Sequence, residues 1–241
     1  MTYCVGVIVD EGVVMASDSR SNAGVDELYT VEKMKVFEEP GERVLVLTWS
    51  GNLAVTQEVL RRLEQSMAAR EGGEHLLNTP SLLGAARLVG ETLREIYQRE
   101  EPLLQRDYIS ADATFLLGGQ IQGEAPRLIT IYPQGNFVEA TGASYFQLGE
   151  TRYGRPILGR VVRPATTLAD AQKGILLSFS SVILHNLSVG FPIDLAACPR
   201  DARRLSVRRK IDENDPYWQE LCRRWDNGLT HLFSLLPPPQ W

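Results

Sequence analysis

Two β-branched, apolar runs open the chain, TYCVGVIVD and VVMASDS, on either side of Asp10-Glu11-Gly12; this pattern predicts an antiparallel hairpin with the glycine in its turn. A polar loop, SNAGVDELYT, leads to KMKVFEE and RVLVLTWSG, which the Pro-Gly of EPGE divides into a second strand pair. From Leu53 the apolar period lengthens. Val55, Val59, Leu60, Leu63 and Met67 recur every three or four residues up to Gly72-Gly73, the spacing of a helix over LAVTQEVLRRLEQSMAAREG. Ser81 can cap a second helix, SLLGAARLVGETLREIYQRE, with Leu82, Ala86, Val89, Leu93, Ile96 and Tyr97 on one stripe and Pro102 as its expected stop. Strand patterns return in ATFLLGGQIQ and RLITIYPQG, joined by GEAP, and in NFVEATGASYFQLG. Thr167 and Asp170 have the spacing of a capping box for the amphipathic TLADAQKGILLSFSSVILHNL. LSVRRK then reads as a strand and PYWQELCRRWDNGLTHLFSLL as a closing helix, before a proline-rich tail at 237–241 that cannot continue it.

This order lacks the strict βαβα alternation of a parallel sheet and predicts mostly antiparallel sheets covered by helices. Two sheets packed together, with the helices outside, bury every stripe. At 241 residues with no internal repeat, the chain suits one layered domain.

Composition narrows the function classes. The formal charge is −5 and the basic residues are scattered except in RDARRLSVRRK, so no footprint for nucleic acid stands out. Cys4, Cys198 and Cys222 are odd in number and lack CxxC spacing, which speaks against a disulfide framework or a zinc site and suits a reducing compartment. The first residues carry no signal-peptide pattern, and no apolar run reaches the roughly 18 residues of a membrane helix. The expectation is a cytoplasmic protein that binds neither membrane nor nucleic acid.

The usual catalytic patterns are missing. His75, His185 and His231 form no metal-binding spacing, and there is no GxSxG, P-loop or GxGxxG. Thr2 stands apart because its position supplies a second group. Once Met1 is removed, its α-amine, with an ordinary pKa of about 7.7–8, sits beside its own hydroxyl and can accept that proton near neutral pH. Asp18 interrupts an apolar strand, where a carboxylate is costly unless paired. Lys33 and Lys35 open the next strand at alternate positions, so both point to one face and either could reach it. Gly51, between a strand and a helix in WSGN, could offer a backbone N–H to a tetrahedral oxyanion. Taken singly, each has a plainer reading: an ordinary Met-Thr start, a surface ion pair, a strand-to-helix turn.

Together, Thr2 heading a strand, GVVMASDSRSNAG, a lysine opening the next strand, and LTWSGN before a helix resemble a proteasome-type β subunit of the N-terminal nucleophile hydrolases. The likeness runs on through ADATFLLGGQIQ, GNFVEATGASYFQLG and NLSVG; with the start at MTYCVGV and the segment GETRYGRPILGR, it is greatest to Anbu, the bacterial ancestral β-subunit family. The resemblance implies an α+β, four-layer αββα sandwich of two mainly antiparallel sheets. It further implies self-assembly into a ring or open helix, and a threonine peptidase or amidase mechanism on a peptide or peptide-like substrate without a cofactor. Carried over, Thr2 is the nucleophile, Asp18 and Lys33 tune it, Gly51 forms the oxyanion hole, and Ser188 lies beside the amine. Lys33 is preferred to Lys35 because Lys33-Met34 matches the lysine–apolar step. Trp49 and Leu53 line the pocket for the side chain before the cleaved bond. One departure matters: Glu150 stands where proteasomal subunits have a serine, and could hold the amine protonated or bind a different substrate end. A catalytically weak peptide-binding or scaffolding oligomer, and a biosynthetic amidase acting on a small peptide-like metabolite, are the competing expectations.

Overall fold

A computed structural model describes residues 2–22, 28–69 and 73–241; Met1, the middle of the SNAGVDELYT loop and the expected end of the first helix at Gly72 lie outside them. The opening hairpin is β1 (Tyr3–Val9) and β2 (Gly12–Asp18), followed by a short pair, β3 (Arg20–Asn22) and β4 (Leu28–Thr30). β5 (Met34–Glu39) and β6 (Arg43–Gly51) lead into α1 (Leu53–Ala68) and α2 (Leu82–Leu104). Strands β7 (Ala113–Ile121), β8 (Arg127–Ile131), β9 (Phe137–Glu139) and β10 (Tyr145–Gly149) come next, then α3 (Arg155–Val161) and α4 (Leu168–His185). β11 (Ile193–Pro199), β12 (Val207–Ile211) and α5 (Pro216–Ser234) close the chain.

Two antiparallel five-stranded sheets result, in the orders β10-β1-β2-β11-β12 and β5-β6-β7-β8-β9. They stack face to face, with α1 and α2 outside one and α3, α4 and α5 outside the other, giving the four-layer αββα sandwich. Side-chain alternation explains how the layers close. On β1, Tyr3, Val5, Val7 and Val9 turn toward Ile175, Phe179 and Val182 of α4, while Cys4 turns inward with Val13 and Met15 to meet Val44, Val46 and Leu116 of the other sheet. A sheet buried on both faces needs apolar residues at nearly every position, which is why VVMAS reads as a continuous run. The third layer joins Leu45, Leu47, Trp49 and Phe115 to Val55, Val59, Leu63, Leu82 and Leu93.

The local signals behave as their chemistry requires. Ser81 Oγ accepts the N–H of Gly84 at 3.0 Å and Thr167 Oγ1 that of Asp170 at 3.1 Å, satisfying N–H groups that the first helical turn leaves open. One expectation is corrected. Pro102 does not end α2, which runs on to Leu104; a proline in the last turn forfeits little of the i−4 ladder, and Gln105 N–H still bonds Glu101. The GETRYGRPILGR segment holds a helix, α3, that its weak apolar period did not announce. The segment NFVEATGASYFQLG also parts between the sheets: β9 pairs with β8, whereas β10 pairs with β1.

Candidate active site

β10 runs antiparallel to β1 with Gly149 opposite Tyr3, and the pairing continues one step further as Glu150 N–H bonds the Thr2 carbonyl at 2.8 Å. Gly149 has φ +77°, and a Cβ there would stand 1.8 Å from the Thr2 oxygen and 3.4 Å from Ser50 Oγ, so the absence of a side chain lets three segments converge on Thr2. One of those segments is the end of β6, tied to β1 also by Cys4 Sγ donating to the Trp49 carbonyl at 3.2 Å. Thr2 is 9% exposed, enclosed yet within reach of solvent.

Asp18 is fully buried at the end of β2, and its environment explains how a carboxylate is tolerated there. Oδ1 accepts from the Tyr3 N–H at 3.1 Å and from Lys33 Nζ at 2.9 Å; Oδ2 accepts from the N–H groups of Arg20 at 3.2 Å and Gly190 at 3.4 Å. Burial pushes the Asp18 carboxyl above its ordinary value, and the Lys33 ammonium beside it pulls the other way. Lys33 is itself buried and also donates to the Arg20 carbonyl. Lys35 faces elsewhere and pairs with Glu64 at the surface, 2.5 Å away. Of the two lysines, only Lys33 joins Asp18.

Gly51 ends β6 with φ +116°, and a Cβ there would lie 2.2 Å from the Asp112 carbonyl, so no other residue fits without moving the backbone. Asn52 caps α1 immediately afterwards, its Oδ1 accepting from Ala54 and Val55 N–H groups. Leu53, the first helical residue, is partly exposed, whereas the Trp49 indole is buried in the layer between sheet and helices, 6.1 Å from the Phe115 ring centre.

Glu150 is 4% exposed. Its Oε1 accepts from Arg152 Nε and its Oε2 from Arg152 Nη2, both at 3.1 Å, and Asn186 Nδ2 donates to Oε2 at 3.1 Å. The Arg152 bonds hold the carboxyl below its ordinary range, so it is ionised at neutral pH. Ser188 sits in the same turn as Asn186, whose Oδ1 accepts the Ser188 N–H at 2.9 Å. Sequence reasoning missed Asn186 and Arg20. Asn186 links Glu150 to the turn whose Gly190 binds Asp18, and Arg20 fastens that turn by donating from Nη1 to the Leu187 carbonyl at 2.8 Å. An amide just past a helix end, two residues before a serine, was the available signal.

The arrangement thus places a hydroxyl at a strand head, a buried ammonium–carboxylate pair on the neighbouring peptide bond and a constrained glycine at the end of the adjoining strand. Among the described residues no helix is long and apolar enough to cross a membrane. The family model for the proteasome subunit matches residues 2–198. No curated protein matches the chain. Among solved structures it is similar to Anbu (ancestral beta-subunit) from Yersinia bercovieri, with 41% identity over 99% of both chains and a TM-score of 0.92. It is equally close in shape to the helical assembly of the Anbu complex from Pseudomonas aeruginosa, at 43% identity over 99% of this chain and 98% of that one, TM-score 0.92. Anbu from Hyphomicrobium sp. strain MC1 is 39% identical, covering 99% of this chain and 100% of that one, with a TM-score of 0.90.

Proposed function

The chain belongs to the Anbu, or ancestral β-subunit, group of the proteasome subunit family, and from that membership we propose that it is a cytoplasmic threonine hydrolase of peptide or peptide-like amide bonds, its residues 1–241 forming one domain that works in a homo-oligomer. The observation that carries the reading is the bond set of Asp18, which holds the Lys33 ammonium against the peptide that follows Thr2. With Met1 removed, Thr2 Oγ1 attacks the substrate carbonyl carbon while its proton passes to the Thr2 α-amine. The new C–O bond forms, the carbonyl oxygen takes up negative charge facing Gly51 N–H, and the Lys33 charge favours ionisation of the hydroxyl. The C–N bond then breaks, the amine returns the proton to the leaving nitrogen, and water hydrolyses the ester by the reverse route. Every proton is accounted for by the chain's own groups and water.

Trp49 and Leu53 set the size of the pocket for the residue before the cleaved bond, with a preference for small or neutral side chains. A relative that forms a helical assembly supports the homo-oligomer. The ionised, fully bonded Glu150 beside the Thr2 carbonyl favours a second reading, a peptide-binding oligomer with weak catalysis. Intact mass of the purified protein decides first: absence of one methionine supports the hydrolase, and a retained Met1 blocks the amine and sinks it.

A further inference from the structure

With Met1 removed, Thr2 is held to the chain by one peptide bond, and an end so tethered frays unless its neighbour is fixed. Two backbone bonds fix that peptide within the sheet: Glu150 N–H donates to the Thr2 carbonyl, and Tyr3 N–H donates to Asp18. Motion across the sheet is left to the side chains, which stand perpendicular to it. Tyr3 supplies that third restraint. Its ring is fully buried, edge-on to Phe179 of α4 with ring centres 4.7 Å apart, and its hydroxyl belongs to a directed chain of hydrogen bonds. Gln147 Nε2 on β10 donates to the Tyr3 oxygen at 2.6 Å, the Tyr3 O–H donates to Ser178 Oγ on α4 at 3.0 Å, and Ser178 donates to the Ile175 carbonyl at 2.6 Å. Burial pushes the phenol well above its ordinary range, so its O–H remains a donor at any working pH. Gly154, at the start of α3, closes the cradle: a Cβ there would stand 2.2 Å from the Tyr3 oxygen.

Packing does not require these polar groups. The layer that holds them is built from Val5, Leu158, Ile175, Phe179 and Val182, and replacing both partners of a buried hydrogen bond by apolar groups of like shape is often close to neutral for stability. A phenylalanine facing an alanine would fill nearly the same space. We infer that Tyr3 is a positioning residue for the nucleophile: its hydroxyl, pinned between Gln147 and Ser178, sets the depth at which Thr2 Oγ1 meets the substrate carbonyl. The inference rests on the hydrolase reading above and adds to it a side chain that acts through Thr2 rather than on the substrate. The pinned hydroxyl also abuts Gly154 at the end of the turn that carries Glu150 beside the Thr2 carbonyl, so one buried cluster holds both the nucleophile and its neighbouring carboxylate.

Labelling by a β-lactone tests this on the full chain, with intact mass following the adduct at several lactone concentrations so that binding (KI) and acylation (kinact) separate. Tyr3→Phe with Ser178→Ala removes both hydroxyls and keeps the ring. The expected result is a circular dichroism spectrum and urea midpoint like the parent's, an unchanged KI, and a kinact lower by about ten- to a hundredfold, the loss that a displacement of ~1 Å brings to a reacting group. Gln147→Leu cuts the same chain at a half-buried side chain, and should lower kinact with KI held even if the double variant does not fold. An unchanged kinact, or a loss confined to the urea midpoint, assigns the cluster to packing and overturns the inference while the hydrolase reading stands. A raised KI with kinact held means that the cluster shapes the substrate pocket, and overturns it as well. A parent that takes no label at Thr2 overturns both the inference and the hydrolase reading.

Discussion

Lys33 Nζ lies 2.9 Å from Asp18 Oδ1, the same oxygen that receives the Tyr3 N–H, so one carboxylate oxygen couples the buried lysine to the peptide bond that leaves Thr2. Removing the carboxylate strands an ammonium in the core. Asp18→Ala should cost about 3–5 kcal/mol, the usual penalty for an orphaned buried charge. Adding Lys33→Met should recover part of that loss by removing the charge itself. Urea unfolding of the three proteins reads this directly. Equal stability of the single and double variants would show that the pair is not the source.

Thr2→Ala keeps the β-carbon and removes only the hydroxyl. Because that hydroxyl is the proposed nucleophile, labelling by a β-lactone or epoxyketone should fall to background while the fold is retained, and Thr2→Ser should keep some labelling. Mass spectrometry of the adduct is the measurement, and equal labelling of parent and Thr2→Ala removes Thr2 from the mechanism.

Glu150 gives a pH dependence with a definite sign. Its carboxyl is held below the ordinary 4.5 chiefly by Arg152, so its contribution to stability is complete above that value and is lost as pH falls through the lowered one. Glu150→Gln should therefore melt below the parent at pH 7, by an amount equivalent to about 1–3 kcal/mol for weakened bonds to a charged group. The gap should close as pH falls below 4.5 and through that lowered value. A gap that stays unchanged down to the lowest pH at which the parent remains folded means that the amide's shape, not the charge, is responsible.

Trp49→Ala tests the pocket and the core together. The indole is buried against Phe115, and its removal should cost about 3–5 kcal/mol. If Trp49 limits the pocket, the surviving folded variant gains kcat/KM on a fluorogenic substrate with phenylalanine before the cleaved bond, relative to one with alanine. No change in that ratio confines Trp49 to packing.

Features whose causes lie within a few residues were readable from the string of residues. The caps at Ser81 and Thr167 each satisfy an N–H three positions on, and the Asp10-Glu11-Gly12 turn joins strands that pair directly. The hairpin, the amphipathic stripes of α1, α2 and α4 and the two-sheet layering follow from such local chemistry and from the alternation of buried faces. Thr2, Asp18 and Gly51 were identifiable as candidates because each stands out locally: a hydroxyl next to the first residue, a charge in an apolar run, a glycine at a strand's end. Packing alone decided the partners. Lys33 and Lys35 point from the same strand opening, but only the fold turns Lys33 inward to Asp18 and leaves Lys35 beside Glu64. Gly149 opposite Tyr3, Asn186 on Glu150 and Gly190 on Asp18 join residues 36 to 172 positions apart. Such contacts are set by how two sheets and their helices close on one another, an outcome shared among all the layers and carried by no short stretch of chain.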